Sequence, residues 1–201
     1  MRRSHAAPMN SRSPDISVMS EPDDDWRQAT HRLVLMRHAQ AAPAGFGDFG
    51  PQADFRRPLT PQGRSVAHLR GRELRAVGFV PDLALVSPAL RTRQTWEEMG
   101  SFFGDHSPDV QYVNALYETS ADRIRDMLWE VDKKYNNIII LSHNPGIGNL
   151  AMELAGCHGS GHVPPSLSLG FPPAAMACFF SAIPWNIAQN HAITFYRALC
   201  D

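Results

Sequence analysis

The segment Arg32–Ala39, RLVLMRHA, places a short apolar run directly before an arginine and a histidine. The run has the length and composition of a buried strand. The segments Asp82–Trp96, DLALVSPALRTRQTW, and Asn136–Ala151, NNIIILSHNPGIGNLA, repeat the order of an apolar run, a polar turn and a helical pattern. Alternation of strands and helices along one chain predicts an α/β fold, with helices on both faces of a mostly parallel sheet.

A helical pattern lies between the first two of these strands. It begins near Thr60, with Pro61 at its first helical position, and ends before Gly78. The apolar residues of this helix recur at helical spacing and predict its buried face: Val66, Leu69, Leu74 and Val77.

The remaining elements complete a single layered domain. Residues 109–118 predict another short strand, and residues 120–135 predict another amphipathic helix. Two strand-like runs near the end of the chain, residues 174–183 and 191–199, predict an antiparallel hairpin at the edge of the sheet. The predicted architecture is therefore a three-layer α/β/α fold around a mostly parallel, mixed sheet.

Charge and cysteine content exclude several classes of protein. The 201 residues include 19 Lys and Arg against 20 Asp and Glu, for a net charge of −1. A protein that binds nucleic acid without sequence preference would show a clear excess of basic residues, so no nucleic-acid partner is expected. The three cysteines have no CxxC spacing, which argues against a disulfide framework and a zinc ribbon and is typical of a reducing compartment.

The first 30 residues differ in composition from the rest of the chain. They are rich in Ser, Pro and Asp and predict a flexible N-terminal extension, followed by one domain over residues 31–201. No apolar run follows the Arg2-Arg3 pair as it would in a signal peptide, and the apolar stretch Ala174–Trp185 is too short to span a membrane. A cytoplasmic protein with no membrane partner is therefore expected.

Polar residues follow the predicted parallel strands. In open α/β sheets, ligands bind beyond the carboxyl ends of the strands. Arg37 and His38 follow the first strand, Arg91 comes shortly after the second, Glu118 comes after the third, and His143 follows the fourth. Two arginines and two histidines at one edge of the sheet predict a site for a phosphoryl group.

Each of these residue types suits a separate part of phosphoryl transfer. Guanidinium groups bind phosphate oxygens through paired N–H groups and stay charged, so Arg37 and Arg91 are expected to clamp the phosphate. As a neutral imidazole His38 could attack phosphorus, and His143 could donate to the phosphoryl oxygens in the transition state. Glu118 is expected either to protonate the leaving group or to cap the helix that follows it.

Taken in order, these motifs resemble the histidine phosphatase superfamily, whose fold is called phosphoglycerate mutase-like. The resemblance extends over residues 32–200 and is greatest to the small bacterial phosphohistidine phosphatases. It rests on six segments: LVLMRHA (33–39), RRPLTPQG (56–63), SPALRTRQT (87–95), LYE (116–118), LSHNPG (141–146) and FPPAAMA (171–177).

The resemblance implies a set of site residues. It makes His38 the residue that accepts the phosphoryl group, and it makes Arg37, Arg91 and His143 the phosphate pocket, with Asn144 in support. No metal or other cofactor is implied, so the implied activity is that of a metal-independent phosphatase.

Three functions follow from the resemblance. The first is removal of phosphate from protein phosphohistidine, with a histidine-phosphotransfer protein as the partner that enters an open site. The second is hydrolysis of a small phosphomonoester, with Glu118 as the proton donor. The third is a catalytically silent protein that only binds a phosphorylated ligand.

Two other patterns have ordinary structural explanations. The run Gly146–Ala151 fits the GxGxxA fingerprint of dinucleotide sites, but no acidic residue follows about 20 positions later, so its glycines are expected to allow a tight turn after His143. Cys157, His158 and His162 are close in sequence, but the Gly-Ser-Gly between the histidines would not fix ligand geometry. No metal site is predicted there.

Overall fold

The computed structural model describes residues 22–45, 50–104, 108–156, 164, 167 and 170–200. The strands in this part of the chain are β1 (His31–Arg37), β2 (Leu83–Val86), β3 (Asp109–Tyr112), β4 (Asn137–Ser142), β5 (Met176–Ser181) and β6 (Ile193–Leu199). The helices are α1 (Pro22–Gln28), α2 (Pro51–Phe55), α3 (Pro61–Ala76), α4 (Leu90–Gly100), α5 (Ala121–Trp129) and α6 (Gly146–Gly156). None of these helices is long and apolar enough to cross a lipid bilayer.

The strands form one mixed sheet in the order β3-β2-β4-β1-β5-β6. The first four strands of that order run parallel to one another. In contrast, β5 is antiparallel to β1, and β6 is antiparallel to β5. The predicted mixed sheet with an antiparallel hairpin at its edge is confirmed. Because β1 and β4 are neighbours in register, Arg37 lies opposite Ser142 at their carboxyl ends.

Alternate residues of the central strands face two separate cores. Along β1, Leu33 and Leu35 pack into a core shared with α5 and α6. Val34 and Met36 pack into a second core shared with α1, α3 and α4. This alternation arises because successive side chains of a strand point to opposite faces of the sheet. The result is the three-layer α/β/α arrangement that the sequence predicts.

The N-terminal boundary of the folded body differs from the predicted flexible extension over residues 1–30. Helix α1 lies inside that segment, and its Trp26 is fully buried against the rings of Phe79 and Tyr196. The Nε1 group of Trp26 also donates a hydrogen bond to the carbonyl of Val77 (3.0 Å). An indole buries a large apolar area, so its burial stabilises the packing of this polar segment on the domain. Residues 22–28 therefore pack on the domain, and residues 1–21 lie outside the described residues.

Helix α3 begins where it is predicted to begin, and Leu74, Val66 and Val77 pack in the second core as predicted, whereas Leu69 does not. Thr60 caps the helix by accepting a hydrogen bond from the Gly63 amide (2.9 Å). Leu69, predicted to be buried, is 37% exposed, whereas Arg70 is 2% exposed. Arg70 can be buried because its Nε donates to the Ala174 carbonyl (3.1 Å) and its charge is also paired. Apolar spacing alone gives no sign of a buried arginine.

Candidate active site

The two histidines predicted to act on a phosphoryl group lie side by side. His38 directly follows β1, and His143 directly follows β4. The His38 amide donates to the Ser142 carbonyl (3.1 Å), and the centroids of the two imidazole rings are 5.1 Å apart. Both residues are buried, with 8% and 6% of their surface exposed. Burial disfavours a positive charge on either ring, and a charge on one ring would disfavour a charge on the other.

The surroundings of His38 fix both its charge and its tautomer. Its Nδ1 atom lies 2.7 Å from the main-chain carbonyl of Ala39. Since a carbonyl can only accept, Nδ1 carries the proton and Nε2 keeps its lone pair. Burial, together with the positive charges of Arg91 and Arg37, lowers the pKa of His38 to about 4. At neutral pH the ring is therefore an uncharged potential nucleophile.

His143 is held through both of its ring nitrogens. Arg91 Nε donates to Nδ1 (3.3 Å), so in the neutral ring Nε2 carries the proton and donates to the hydroxyl of Ser87 (2.7 Å). Burial, the charge of Arg91 and the nearby His38 lower the pKa of His143 to about 3. A bound phosphate dianion would favour the protonated ring, which could then donate from Nδ1.

The two predicted phosphate-binding arginines flank the histidines. Arg91 lies in the first turn of α4 and is 5% exposed. Arg37 donates through Nη1 to the carbonyl of Phe171 (3.0 Å), while its buried Nε has no hydrogen-bond partner among the described residues. An unpaired buried donor is costly. Arg37 is therefore arranged to bind an acceptor such as a phosphate oxygen.

Segments distant in sequence hold the main chain around His38. The Ala39 amide donates to the hydroxyl of Thr95 on α4 (3.0 Å). The next carbonyl, that of Gln40, accepts from the Thr60 amide (3.0 Å) at the start of α3. Two helices thus fix the position of the nucleophile from outside the strand that carries it.

Among the described residues, one carboxylate joins the site, that of Asp54 in α2. Its Oδ2 accepts from Arg91 Nη2 (3.0 Å) and from the Tyr117 hydroxyl (2.8 Å), and its Oδ1 accepts from Arg57 Nη1 (2.8 Å). Burial alone would raise the pKa of Asp54, but the hydrogen bonds from Tyr117 and Arg57 and the charge of Arg91 lower it to about 2. Asp54 is therefore an anion that offsets part of the positive charge.

Comparison with known proteins places this arrangement in a family. The model of the histidine phosphatase superfamily (branch 1) matches residues 33–158, more than half of the chain. The chain belongs to the histidine phosphatase superfamily. It is also 30% identical over 152 residues to an uncharacterized protein of Mycobacterium leprae, which is 75% of this chain and 90% of that protein.

Solved structures share the fold of this histidine phosphatase. A structure from Nakamurella multipartitia that has been given the name phosphohistidine phosphatase SixA matches with a TM-score of 0.69 at 25% identity, covering 84% of this chain and 95% of that chain. The protein histidine phosphatase SixA complexed with tungstate matches with a TM-score of 0.65 at 24% identity, covering 84% and 96%. The phosphoglycerate mutase-like fold is confirmed, and the chain is an enzyme of the phosphatase class.

Most of the predicted site residues come together in this histidine phosphatase. His38, His143 and Arg91 form one connected group, with Arg37 beside them. Asn144 lies at its margin, where its Nδ2 donates to the Phe171 carbonyl (2.8 Å), the same oxygen that accepts from Arg37. This contact brings Asn144 next to Arg37, and its supporting role at the phosphate stays a prediction.

Glu118 is not brought into this group. Its side chain is exposed, its backbone has a positive φ of 49°, and it makes none of the hydrogen bonds that connect the described site residues. Ser120 caps α5 by accepting from the Arg123 amide (3.3 Å). The alternative that Glu118 caps this helix is therefore wrong, and its role as a general acid stays a prediction.

Three residues of the site were not predicted from the sequence: Ser87, Asp54 and Tyr117. Ser87 directly follows β2, so the strand-end rule that selects His143 could also have selected it. Tyr117 stacks edge to face on His143, with ring centroids 5.5 Å apart, but in the sequence it is an ordinary aromatic residue. Asp54 lies on a short helix of five residues with no periodic pattern that would set it apart from a surface acid.

The site is predicted to be open to a side chain of another protein, and this stays a prediction. Helix α2 approaches it closely, since the Asp54 carbonyl accepts from Arg91 Nη1 (2.7 Å) and the Phe55 ring contacts Tyr117 with centroids 5.3 Å apart. The contact with Asp54 explains why Arg91 is buried.

The glycine pattern after His143 has a packing role. A Cβ on Gly146 would lie 2.2 Å from the carbonyl oxygen of Thr119, so only glycine lets α6 begin against the loop that carries Tyr117. The group Cys157, His158 and His162 lies outside the described residues. The prediction that this group binds no metal stays a prediction.

Proposed function

We propose that this protein is a metal-independent phosphatase that removes phosphate from phosphohistidine in another protein through a covalent intermediate on His38. The observation that carries the proposal is the state of the His38 ring: it is neutral, its Nδ1–H is bound to the Ala39 carbonyl, and its Nε2 makes no hydrogen bond to a residue that the structure describes. Arg37 and Arg91 stand beside it. An imidazole with a fixed, available lone pair next to two guanidinium groups is suited to attack a phosphoryl group.

The reaction would proceed in two displacements at phosphorus. In the first, the Nε2 lone pair of His38 forms the new N–P bond while the bond to the leaving nitrogen breaks, and the leaving imidazole keeps the electron pair and takes up a proton from solvent water. Arg37 and Arg91 would hold the phosphoryl oxygens, and His143, protonated once a dianion is bound, would donate to one of them. In the second, water attacks phosphorus, loses a proton to solvent, and releases inorganic phosphate from His38.

The acid–base character of the site favours phosphohistidine as the substrate. Asp54, the carboxylate bound to Arg91, stays ionised, and Glu118 is exposed outside the connected group. The P–N bond of phosphohistidine needs less help from a positioned acid than an ester with an alkoxide leaving group does. The Nakamurella structure and the tungstate-bound protein carry phosphohistidine and protein histidine phosphatase in their names, which supports the same substrate class.

A histidine-phosphotransfer protein is the partner that we favour. Such a protein presents its phosphohistidine as a projecting side chain, which could reach His38, a residue with 8% of its surface exposed. We place the reaction in the cytoplasm, because the cysteines show no disulfide spacing and so fit a reducing compartment.

The experiment that tests the proposal compares two substrates, a phosphorylated histidine-phosphotransfer domain and an aryl phosphate, without added metal and with a chelator. Wild type should release phosphate both without added metal and with the chelator. The rate of phosphate release by His38→Ala should be lower by at least about 10³-fold. The matched control is His68→Ala, because His68 is exposed on α3. Activity that survives His38→Ala, or that the chelator removes, would overturn the mechanism.

A small phosphomonoester is the second candidate substrate, because an acidic residue, Glu118, directly follows Tyr117 at the site. Glu118→Gln separates the two substrates. If Glu118 protonates an alkoxide leaving group, the variant should lose most of its activity on alkyl esters while keeping its activity on phosphohistidine. Equal activity of the variant on both substrates would remove Glu118 from the mechanism.

A silent phospho-ligand binder is the least supported candidate. A protein that only bound phosphate would have no need for the neutral nucleophile at His38 in addition to Arg37, Arg91 and His143. Tight phosphate binding with no turnover of either substrate would be the result in its favour.

A further inference from the structure

The guanidinium of Arg91 is used along two different edges. Its outer edge, formed by Nη1 and Nη2, donates to the main-chain oxygen of Asp54 (2.7 Å) and to the Asp54 carboxylate (3.0 Å). Its inner edge, which carries Nε and the second hydrogen of Nη2, faces His143, to which Nε donates (3.3 Å). A guanidinium offers a parallel pair of N–H groups on each of these edges.

This division has a consequence for phosphate binding. Asp54 takes the outer edge, so it does not compete for the inner edge, whose Nε donates to His143. A phosphoryl group beside His38 could therefore bind Nη2 of Arg91 while Asp54 stays in place, and also Nε once Nδ1 of His143 is protonated. The contact with Asp54 is compatible with turnover, and a phosphate does not have to displace it.

The Asp54 carboxylate also accepts hydrogen bonds from two other side chains. The Tyr117 hydroxyl donates to Oδ2 (2.8 Å), and Arg57 Nη1 donates to Oδ1 (2.8 Å). Arg57 is anchored in turn, because its Nε donates to the Ala42 carbonyl (2.7 Å). Tyr117 is fixed by ring contacts with His143 and Phe55. The carboxylate is thus held in one position, which a residue that orients another side chain requires.

We propose that Asp54 is a positioning residue of the phosphatase. It binds the outer edge of the Arg91 guanidinium and so orients the inner edge toward the phosphoryl group that is transferred to His38. This inference rests on the proposed role of Arg91 as a phosphate clamp. Asp54 does not touch the reacting atoms. By its negative charge it also offsets part of the positive charge of Arg91 and Arg57, which limits how tightly the product phosphate is held.

The test separates turnover from phosphate binding in Asp54→Ala and Asp54→Asn. Without the side chain, Arg91 keeps one anchor but loses its direction, so kcat of Asp54→Ala should fall about 10- to 100-fold. Binding of inorganic phosphate should become equal or tighter, because a negative charge has been removed. In Asp54→Asn the amide oxygen can still accept from Arg91, so kcat should recover to within about 5-fold of wild type.

Tyr117→Phe is a milder second variant, because it removes only the hydroxyl that braces Asp54. It should lower kcat about 2- to 5-fold with no change in phosphate affinity. The matched control is Glu98→Gln, which removes another carboxylate–arginine pair, that with Arg64 (2.7 Å), from the same helix as Arg91. This control should keep wild-type kcat and phosphate affinity.

Two results would overturn the inference. One is an unchanged kcat in Asp54→Ala. The other is a loss of kcat accompanied by weaker phosphate binding and no recovery in Asp54→Asn, since that pattern describes collapse of α2 rather than misdirection of Arg91. Failure of the proposed function would show differently, as absence of His38-dependent turnover in the wild-type protein itself.

Discussion

At the scale of single residues, the site keeps two histidines neutral where an isolated histidine would begin to take up protons in weak acid. Burial and the nearby arginines lower the pKa of His38 to about 4 and that of His143 to about 3. Neutrality serves nucleophilic attack by His38, because a protonated ring has no lone pair to offer. The same low pKa values make the folded protein sensitive to acid.

The predicted effect appears in the pH dependence of stability. Between about pH 6.5, the ordinary pKa, and pH 4, the unfolded chain takes up a proton at His38 while the folded protein does not, so stability falls as pH falls. Replacing His38 by Gln removes this contribution of His38 to the pH dependence of stability. Over that range, the free energy of unfolding should fall less steeply in His38→Gln than in wild type, by up to about 1.4 kcal/mol per pH unit.

Urea unfolding of both proteins at several pH values between 4 and 6.5 gives the two slopes directly. Parallel slopes would show that His38 titrates alike in the folded and unfolded chains, and would contradict its assignment as a buried neutral ring.

At the scale of elements, the strand-end rule explains which parts of the site could be predicted from the sequence. Residues that directly follow parallel strands, such as His38 and His143, are fixed by the topology of the sheet and were found. Asp54 lies on a short helix and Tyr117 on a loop, and the two residues, 63 positions apart, are joined by a hydrogen bond. No periodic pattern in the sequence predicts such a contact. The same limit applies to Arg70, whose Nε donates to the carbonyl of Ala174, 104 residues away.

The start of α3 shows how elements position the nucleophile. A Cβ on Gly63 would lie 2.1 Å from the carbonyl oxygen of Gln40, two residues after His38. Gly63→Ala must push this loop and α3 apart, and should lower the free energy of unfolding by about 1–3 kcal/mol, with a parallel loss of activity. The control is Gly100→Ala at the end of α4, where nothing lies within 4 Å.

Gly100→Ala should be neutral or stabilise by up to about 1 kcal/mol, because alanine restricts the unfolded chain. Chemical denaturation of the two variants checks both values. Equal stability of the two would show that the close approach of Gly63 to Gln40 is relaxed in solution.

At the scale of the whole molecule, two cores on opposite faces of one sheet carry the fold, and the site occupies the edge where the central strands end. The pattern of strands and helices was sufficient to predict this layered architecture. This pattern was not sufficient to place the N-terminal boundary, because residues 1–30 are mostly polar and their composition does not predict that one indole is buried. The last strand, β6, lies at the edge of the sheet, and Tyr196 of that strand stacks on Trp26 with ring centroids 4.8 Å apart.

Helix α1 should therefore stabilise the outer part of the sheet through Trp26. Trp26→Ala leaves a cavity beside Phe79 and Tyr196 and should lower the free energy of unfolding by about 3–5 kcal/mol. Arg27→Ala, at the exposed neighbouring position, should change it by less than about 0.5 kcal/mol. Guanidinium unfolding, followed by circular dichroism so that the lost indole does not affect the signal, measures both. A loss of less than about 1 kcal/mol in the free energy of unfolding of Trp26→Ala would indicate that α1 is part of the flexible extension. A buried indole cannot be removed from a packed core without a large loss of stability.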